Sequence, residues 1–210
     1  MKIAVVGATG MVGSRVVSEA ASRGHELVAV FRRQRPATLP PGVTAVEGDA
    51  NDPGQMSGLF HGADAIVAAT RPALGQEHTV TATTAALLDA AATTRTRILV
   101  VGGAAPLRNP GRPDRLVLDS PEYVPEAIRP IAAASVAQWE TCRAHAADWV
   151  YLSPPAVLEP GRRTGIYRRG TTTLVTSADG ASRISAEDLA VAVLDELENP
   201  GESEHFTVGY

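Results

Sequence analysis

Three glycines spaced Gly7-x-x-Gly10-x-x-Gly13 follow the short apolar run Ile3–Val6. The run reads as a buried strand and the residues after it as a helix. Each glycine has a use at such a junction. Gly7 lets the chain turn, and Gly10 lets a diphosphate approach the amides that open a helix. Gly13 lets that helix pack close to the sheet. The spacing implies a dinucleotide site, with Thr9, Met11 and Val12 completing the turn.

The end of the second apolar run, Leu27–Phe31, indicates which dinucleotide. NAD sites usually carry Asp or Glu there for the ribose hydroxyls. This chain reads Phe31-Arg32-Arg33 with no carboxylate nearby. Two guanidiniums suit a 2′-phosphate, which they can bind in bidentate fashion. The cofactor implied is NADP(H).

Side chains that could move a proton are few. Lys2 is the only lysine, so a lysine base has almost no place here. Cys142 is the single cysteine. It lies in an Ala-rich helical stretch and reads as a small buried residue, and no metal cluster is offered. Ser153 closes the run Trp149–Leu152, where it could hydrogen-bond substrate or the nicotinamide carboxamide. Tyr123 lies in the long loop after Ile98–Val101, as proton donor or as an apolar wall. These two are the catalytic candidates. Arg71 reads as a diphosphate or substrate contact or as a surface residue, and His78 as structural. Trp139 and Trp149 read as packing.

Helical patterns separate the apolar runs that must position these residues. They cover Met11–Arg23 with Gly24 as a stop, a short helix from Asp52-Pro53 through Phe60, Glu77–Ala92 and Ala132–Ala146. A last one starts at the capping box Ser185–Asp188 and ends at Asn199-Pro200. Ala65–Ala69 is a fourth strand, Val43–Glu47 a third, and His205–Val208 a last one. Most runs lack alternation, as do strands covered by helices on both faces. The order predicts an α/β doubly wound parallel sheet of the Rossmann type, one domain over 1–210.

Ligands in such sheets lie outside the carboxyl ends of the strands. Beyond the glycine turn and the arginine pair, those ends supply Asp49 and Ala50, then Ala69, Thr70 and Arg71. They also supply Gly102 and Gly103, then Ser153, Pro154 and Pro155. Small residues recur along this rim, where a missing side chain admits a ligand to the backbone. Segments 104–131 and 154–181 are too long for simple connectors and read as substrate lids forming a small lobe.

The chain has 210 residues and a net charge of −4, which disfavours nucleic acid and anionic membranes as partners. No run approaches the roughly 20 apolar residues of a membrane span. The first apolar run is too short for a signal peptide. The expected compartment is the cytoplasm, and the expected partner a small hydrophobic or conjugated substrate.

The segments KIAVVGATGMVGSRVV, VEGDANDP, ILVVGGA, DWVYLSPPAVLEPGRRTGIYR and SRISAEDLAVAVLDELENP…FTVGY span nearly the whole chain. They resemble the atypical short-chain dehydrogenase/reductases of the NmrA-like kind, nearest to small proteins related to flavin and biliverdin-IXβ reductases. The resemblance implies NADP along a Rossmann sheet, Ser153-Pro154-Pro155 beside the nicotinamide, and Asp49-Ala50 near the adenine. It also shows a departure. The Tyr-x-x-x-Lys dyad is absent: four residues beyond Tyr123, Tyr151 and Tyr167 stand Ala127, Pro155 and Thr171. Ile128-Arg129 stands where close relatives often carry Tyr-Lys.

The missing dyad argues against simple ketone reduction. A flavin, quinone or tetrapyrrole delocalises the incoming charge and can take its proton from water. The expected activity is NADPH-dependent hydride transfer to such an acceptor. The alternatives are a dinucleotide-binding redox sensor, or a non-redox tailoring enzyme with a pocket of Leu107, Leu116, Ile128 and Ile131.

Overall fold

The computed structural model describes residues 1–33 and 39–210. Its first half runs β1 (Lys2–Val6), α1 (Met11–Ser22), β2 (Glu26–Phe31), β3 (Val43–Glu47), α2 (Pro53–Phe60), β4 (Ala65–Ala68) and α3 (Val80–Thr94). Next come β5 (Arg97–Val101), the hairpin β6 (Arg108–Asn109) and β7 (Arg112–Leu116), and α4 (Arg129–Arg143). The chain closes with β8 (Trp149–Ser153), β9 (Val157–Glu159), β10 (Arg168–Gly170), β11 (Arg183–Ser185), α5 (Ala186–Glu198) and β12 (His205–Gly209).

The main sheet has the order β10-β12-β8-β5-β4-β1-β2-β3. Every pairing in it is parallel except β10 on β12. From β1 the chain moves outward through β2 and β3, then returns to lay β4 on the other side of β1. The strand order therefore reverses at β1, which is where a doubly wound sheet opens its ligand crevice.

Helices cover both faces. On one, Val16, Val17 and Ala20 of α1 and Leu189, Val193 and Leu197 of α5 pack on Ile3, Val5, Leu99 and Val150. On the other, Met56 and Phe60 of α2, Leu87 and Leu88 of α3 and Cys142 of α4 pack on Ile66, Ile98 and Tyr151. Fully burying one such Val, Leu, Ile or Phe contributes roughly 1.5–3 kcal/mol. Burial pushes the Cys142 thiol up to about 12, so it is the small apolar residue its context predicts.

The two long segments are not irregular. The segment 104–131 holds the β6–β7 hairpin, and 154–181 holds β9 and the antiparallel edge strand β10. Their strands are short, and β6, β7 and β10 carry arginines, so they show no hydrophobic period. The two segments also meet: the Arg108 amide donates to the Thr172 carbonyl at 2.7 Å, and the Leu174 amide to the Arg108 carbonyl at 3.0 Å. Leu107, Val117, Val124 and Leu174 close a small core of their own beneath Tyr123 and Ala132.

Most of 154–181 is stapled down rather than free to close. The Glu19 carboxylate accepts from Arg163 at 2.7 and 2.8 Å and from Arg23 at 2.9 Å. Buried Asp188 accepts from the Thr164 and Gly165 amides, the Thr164 hydroxyl and the Tyr210 hydroxyl. Only the stretch around 172–174 reaches the lobe.

α4 starts and ends about three residues before the periodicity suggests. Pro130 fits its first turn, where the missing N–H has no helical partner to lose. At the other end the Ala147 amide turns back onto His145 Nδ1 at 3.0 Å and leads the chain into β8. A 3₁₀ turn, Glu77–Thr79, forms the start of the predicted third helix.

Candidate functional site

At the end of β1 the chain enters the left-handed region at Gly7, with φ of +83°. The Gly7 and Ala8 amides donate to the Val30 carbonyl at 3.2 and 3.1 Å, which ties the turn to β2. A Cβ on Gly7 would lie 2.5 Å from the Ala69 carbonyl oxygen, and one on Gly13 only 2.1 Å from that of Gly7. Packing alone forbids a side chain at both.

Gly10 differs. It precedes α1 with φ of −74° and ψ of 170°, and a Cβ there would come no closer than 3.2 Å to the Gly7 carbonyl. No side chain caps α1, and no acid stands in its first turn. The first helical amide to find a carbonyl is that of Ser14, on Gly10 at 3.0 Å. Among the described residues the Met11, Val12 and Gly13 amides have no backbone acceptor. An uncapped helix start with free N–H groups and a positive dipole end is an anion cradle.

The sheet order sets this cradle between the ends of β2 and β4. Arg32 and Arg33 follow β2, while Ala69, Thr70 and Arg71 follow β4. All three arginines are exposed, and among the described residues none forms an ion pair. Past β3 the loop is braced: Asp49 accepts from the Asn51 amide and side chain at 3.0 and 2.9 Å, and its own amide donates to Gln55. Asn51 in turn accepts from Thr83 of α3 at 2.6 Å. Asp49 and Ala50 thus sit on a fixed shelf next to β2.

On the other side of the switch point the small residues have a different origin. A Cβ on Gly102 would fall 1.9 Å from the Tyr151 hydroxyl, and one on Gly103 2.8 Å from Ser135 Oγ. Their smallness is required by Tyr151 and α4, with no ligand needed to account for it.

The two catalytic candidates do not come together. Ser153 is fully buried, and its Oγ lies 2.9 Å from Nε2 of His205. Its hydroxyl is committed inside the protein rather than offered to a substrate, and Pro154 and Pro155 are buried beside it. Tyr123 is half-buried against the lobe core, and its hydroxyl has no hydrogen-bond partner among the described residues. Arg129 gives it no help, because that guanidinium donates to the Leu118 carbonyl at 2.9 Å and to Asp119 at 3.1 Å.

Nothing in the sequence around His205 marks it as a functional residue. It opens a terminal apolar strand, and only the sheet order brings it beside Ser153. Its ring lies 5.4 Å from both Trp139 and Tyr151, and burial lowers its pKa to about 4. Its Nδ1 has no partner. Trp139 is not only packing: with Arg108, Leu116, Arg143, Thr172 and His205 it lines a cavity of about 340 Å³ under the lobe. Of the four residues expected to form an apolar pocket, only Leu116 lines this cavity. Leu107 is fully buried in the lobe core, and Ile128 is largely exposed. His78 is exposed on its 3₁₀ turn, and Trp149 is buried as expected.

The reversed strand order and the uncapped glycine turn define a Rossmann protein built for a dinucleotide. The NAD(P)H-binding family matches residues 7–200, and the chain belongs to that family. Its likeness to solved structures covers its full length. A Burkholderia pseudomallei protein provisionally described as exported is 35% identical, covered over 100%, with a TM-score of 0.88. A Bacteroides thetaiotaomicron protein provisionally described as an epimerase is 34% identical, covered over 96%, with a TM-score of 0.89. A Streptococcus pneumoniae protein provisionally described as an NADH-flavin reductase is 28% identical, covered over 99%, with a TM-score of 0.87. These likenesses agree with the atypical, NmrA-like dehydrogenase/reductase group. Among the described residues no helix is long and apolar enough to cross a membrane.

Proposed function

We propose that this protein is an NADPH-dependent oxidoreductase that passes hydride to a conjugated or aromatic small molecule, with the acceptor's proton coming from water. The observation that carries this reading is the uncapped start of α1, set between Arg32-Arg33, which form no ion pair among the described residues, and the end of β4. The Met11, Val12 and Gly13 amides hold the diphosphate, and the two guanidiniums hold a 2′-phosphate. Asp49 and Ala50 flank the adenine, and Ser153-Pro154-Pro155 backs the nicotinamide. Bound NADPH supplies the hydride. The lobe over β5 and β8 keeps water from the reacting carbon, and positioning supplies much of the acceleration. No side-chain acid is assigned: Tyr123 lacks a lysine and Arg129 is committed to Asp119.

The likeness to a protein described as a flavin reductase supports a conjugated acceptor. The stronger likeness to one described as an epimerase favours a second reading, a non-redox rearrangement on the same fold. A steady-state panel of FMN, menadione and biliverdin with NADPH or NADH tests the proposal. NADPH consumption matched by acceptor reduction, and preferred over NADH, is the expected result. Cofactor binding without consumption across the panel would overturn it and leave the sensor or non-redox reading.

A further inference from the structure

The cavity under the lobe draws its walls from α4, β12, the β6–β7 hairpin and the 172 loop, none of which the dinucleotide site uses. Its lining contains no carboxylate, in a chain of net charge −4. Two of the lining residues are Arg108 and Arg143, and neither forms an ion pair among the described residues. The Arg143 guanidinium instead lies 4.8 Å above the Trp139 ring. A guanidinium over an indole makes a platform that is both flat and cationic.

On its buried side the cavity is closed by His205. His205 is 8% exposed, and its Nδ1 has no hydrogen-bond partner. Two residues along β12, the fully buried Thr207 also has an orphaned hydroxyl. Thr207 is the register partner of Ser153, whose hydroxyl lies 2.9 Å from His205 Nε2. The His205 ring thus closes the floor of the cavity, and the two guanidiniums and the Trp139 indole are the groups within a ligand's reach.

We propose that this cavity is a binding site for a planar aromatic carboxylate of one or two rings. The ring system packs on the platform that Arg143 and Trp139 form, and the carboxylate faces Arg108 and the edge of the Arg143 guanidinium, which can bind it in bidentate fashion. Thr172 and the imidazole ring of His205 complete the wall. The volume of about 340 Å³ lies at the small end of ligand sites, which sets the ring limit. The site is defined by binding alone and does not depend on hydride transfer.

The test is calorimetric titration of the full chain with 2-naphthoate, both without cofactor and with saturating NADPH. Saturable one-to-one binding is expected in both conditions. Cyclohexanecarboxylate, which keeps the charge and loses the aromatic face, should bind at least tenfold more weakly. So should 2-naphthamide, which keeps the ring and loses the charge. The double variant Arg108→Gln, Arg143→Gln should lose at least tenfold in naphthoate affinity while its melting temperature and NADPH affinity stay native. Absence of saturable binding, equal binding of 2-naphthamide, or an unaffected double variant would overturn the proposal. Displacement of naphthoate by NADPH would also overturn it, by assigning the ligand to the dinucleotide crevice. Should NADPH fail to bind at all, the cofactor-free titration still decides this site.

Discussion

Tyr151 occupies the space that any side chain at position 102 would need: a Cβ on Gly102 falls 1.9 Å from its hydroxyl oxygen. That hydroxyl is 3.0 Å from the Ser135 carbonyl and 3.1 Å from Gln138 Oε1, both on α4. Burial holds the phenol far above its usual pKa, so it stays a neutral donor. Gly102→Ala should therefore destabilise the protein by about 1–3 kcal/mol, as overpacking does. Urea unfolding measures this, and the folded fraction should still bind cofactor. Gly10→Val should still fold, since its Cβ would come no closer than 3.2 Å to the Gly7 carbonyl, but cofactor binding should be abolished. If Gly10→Val binds NADPH normally, the turn is structural only.

Strands β1, β2, β4, β5 and β8 were legible because buried strands are continuous apolar runs, and the glycine turn was legible because its spacing is tied to a strand–helix junction. The rim was only half legible. Gly7 and Gly13 are glycines because backbone crowds them, and Gly102 because Tyr151 does, so small residues at strand ends do not report ligands alone. His205 was invisible because its partner Ser153 lies 52 residues away in sequence. The polar hairpin β6–β7 carries no period, so the lobe read as two loops.

Arg32→Ala with Arg33→Ala should weaken NADPH strongly and NADH little. Each charge-assisted hydrogen bond to the 2′-phosphate contributes roughly 1.5–3 kcal/mol. Fluorescence titration of both cofactors checks this, and equal losses for the two would refute the phosphate assignment.

Tyr123→Phe removes a hydroxyl that has no partner and keeps the ring in the lobe core. A general acid contributes about 10²–10⁴-fold, so its loss would be conspicuous. The expected change in the rate of acceptor reduction is less than about tenfold. A loss of three orders of magnitude at unchanged cofactor affinity would make Tyr123 the acid.

His205 titrates near pH 4 when folded and near 6.5 in the unfolded chain. Between those values the unfolded state binds the extra proton, so stability rises with pH across that window. The contribution is complete above about pH 6.5 and is lost as pH falls toward 4, a swing on the order of 3 kcal/mol. His205→Gln should flatten this part of the stability profile. An identical acid profile in the variant would show that the imidazole is not buried neutral.

The central claim is that a dinucleotide held at the α1 turn gives its hydride to a conjugated acceptor. Mixing the protein with one equivalent of NADPH and excess menadione under single-turnover conditions, with C4-deuterated NADPH in parallel, tests it most directly. The account predicts loss of the NADPH absorbance in step with quinone reduction, slowed by the deuterium and unaffected by Tyr123→Phe. Persistence of bound NADPH with menadione, FMN and biliverdin alike would contradict it.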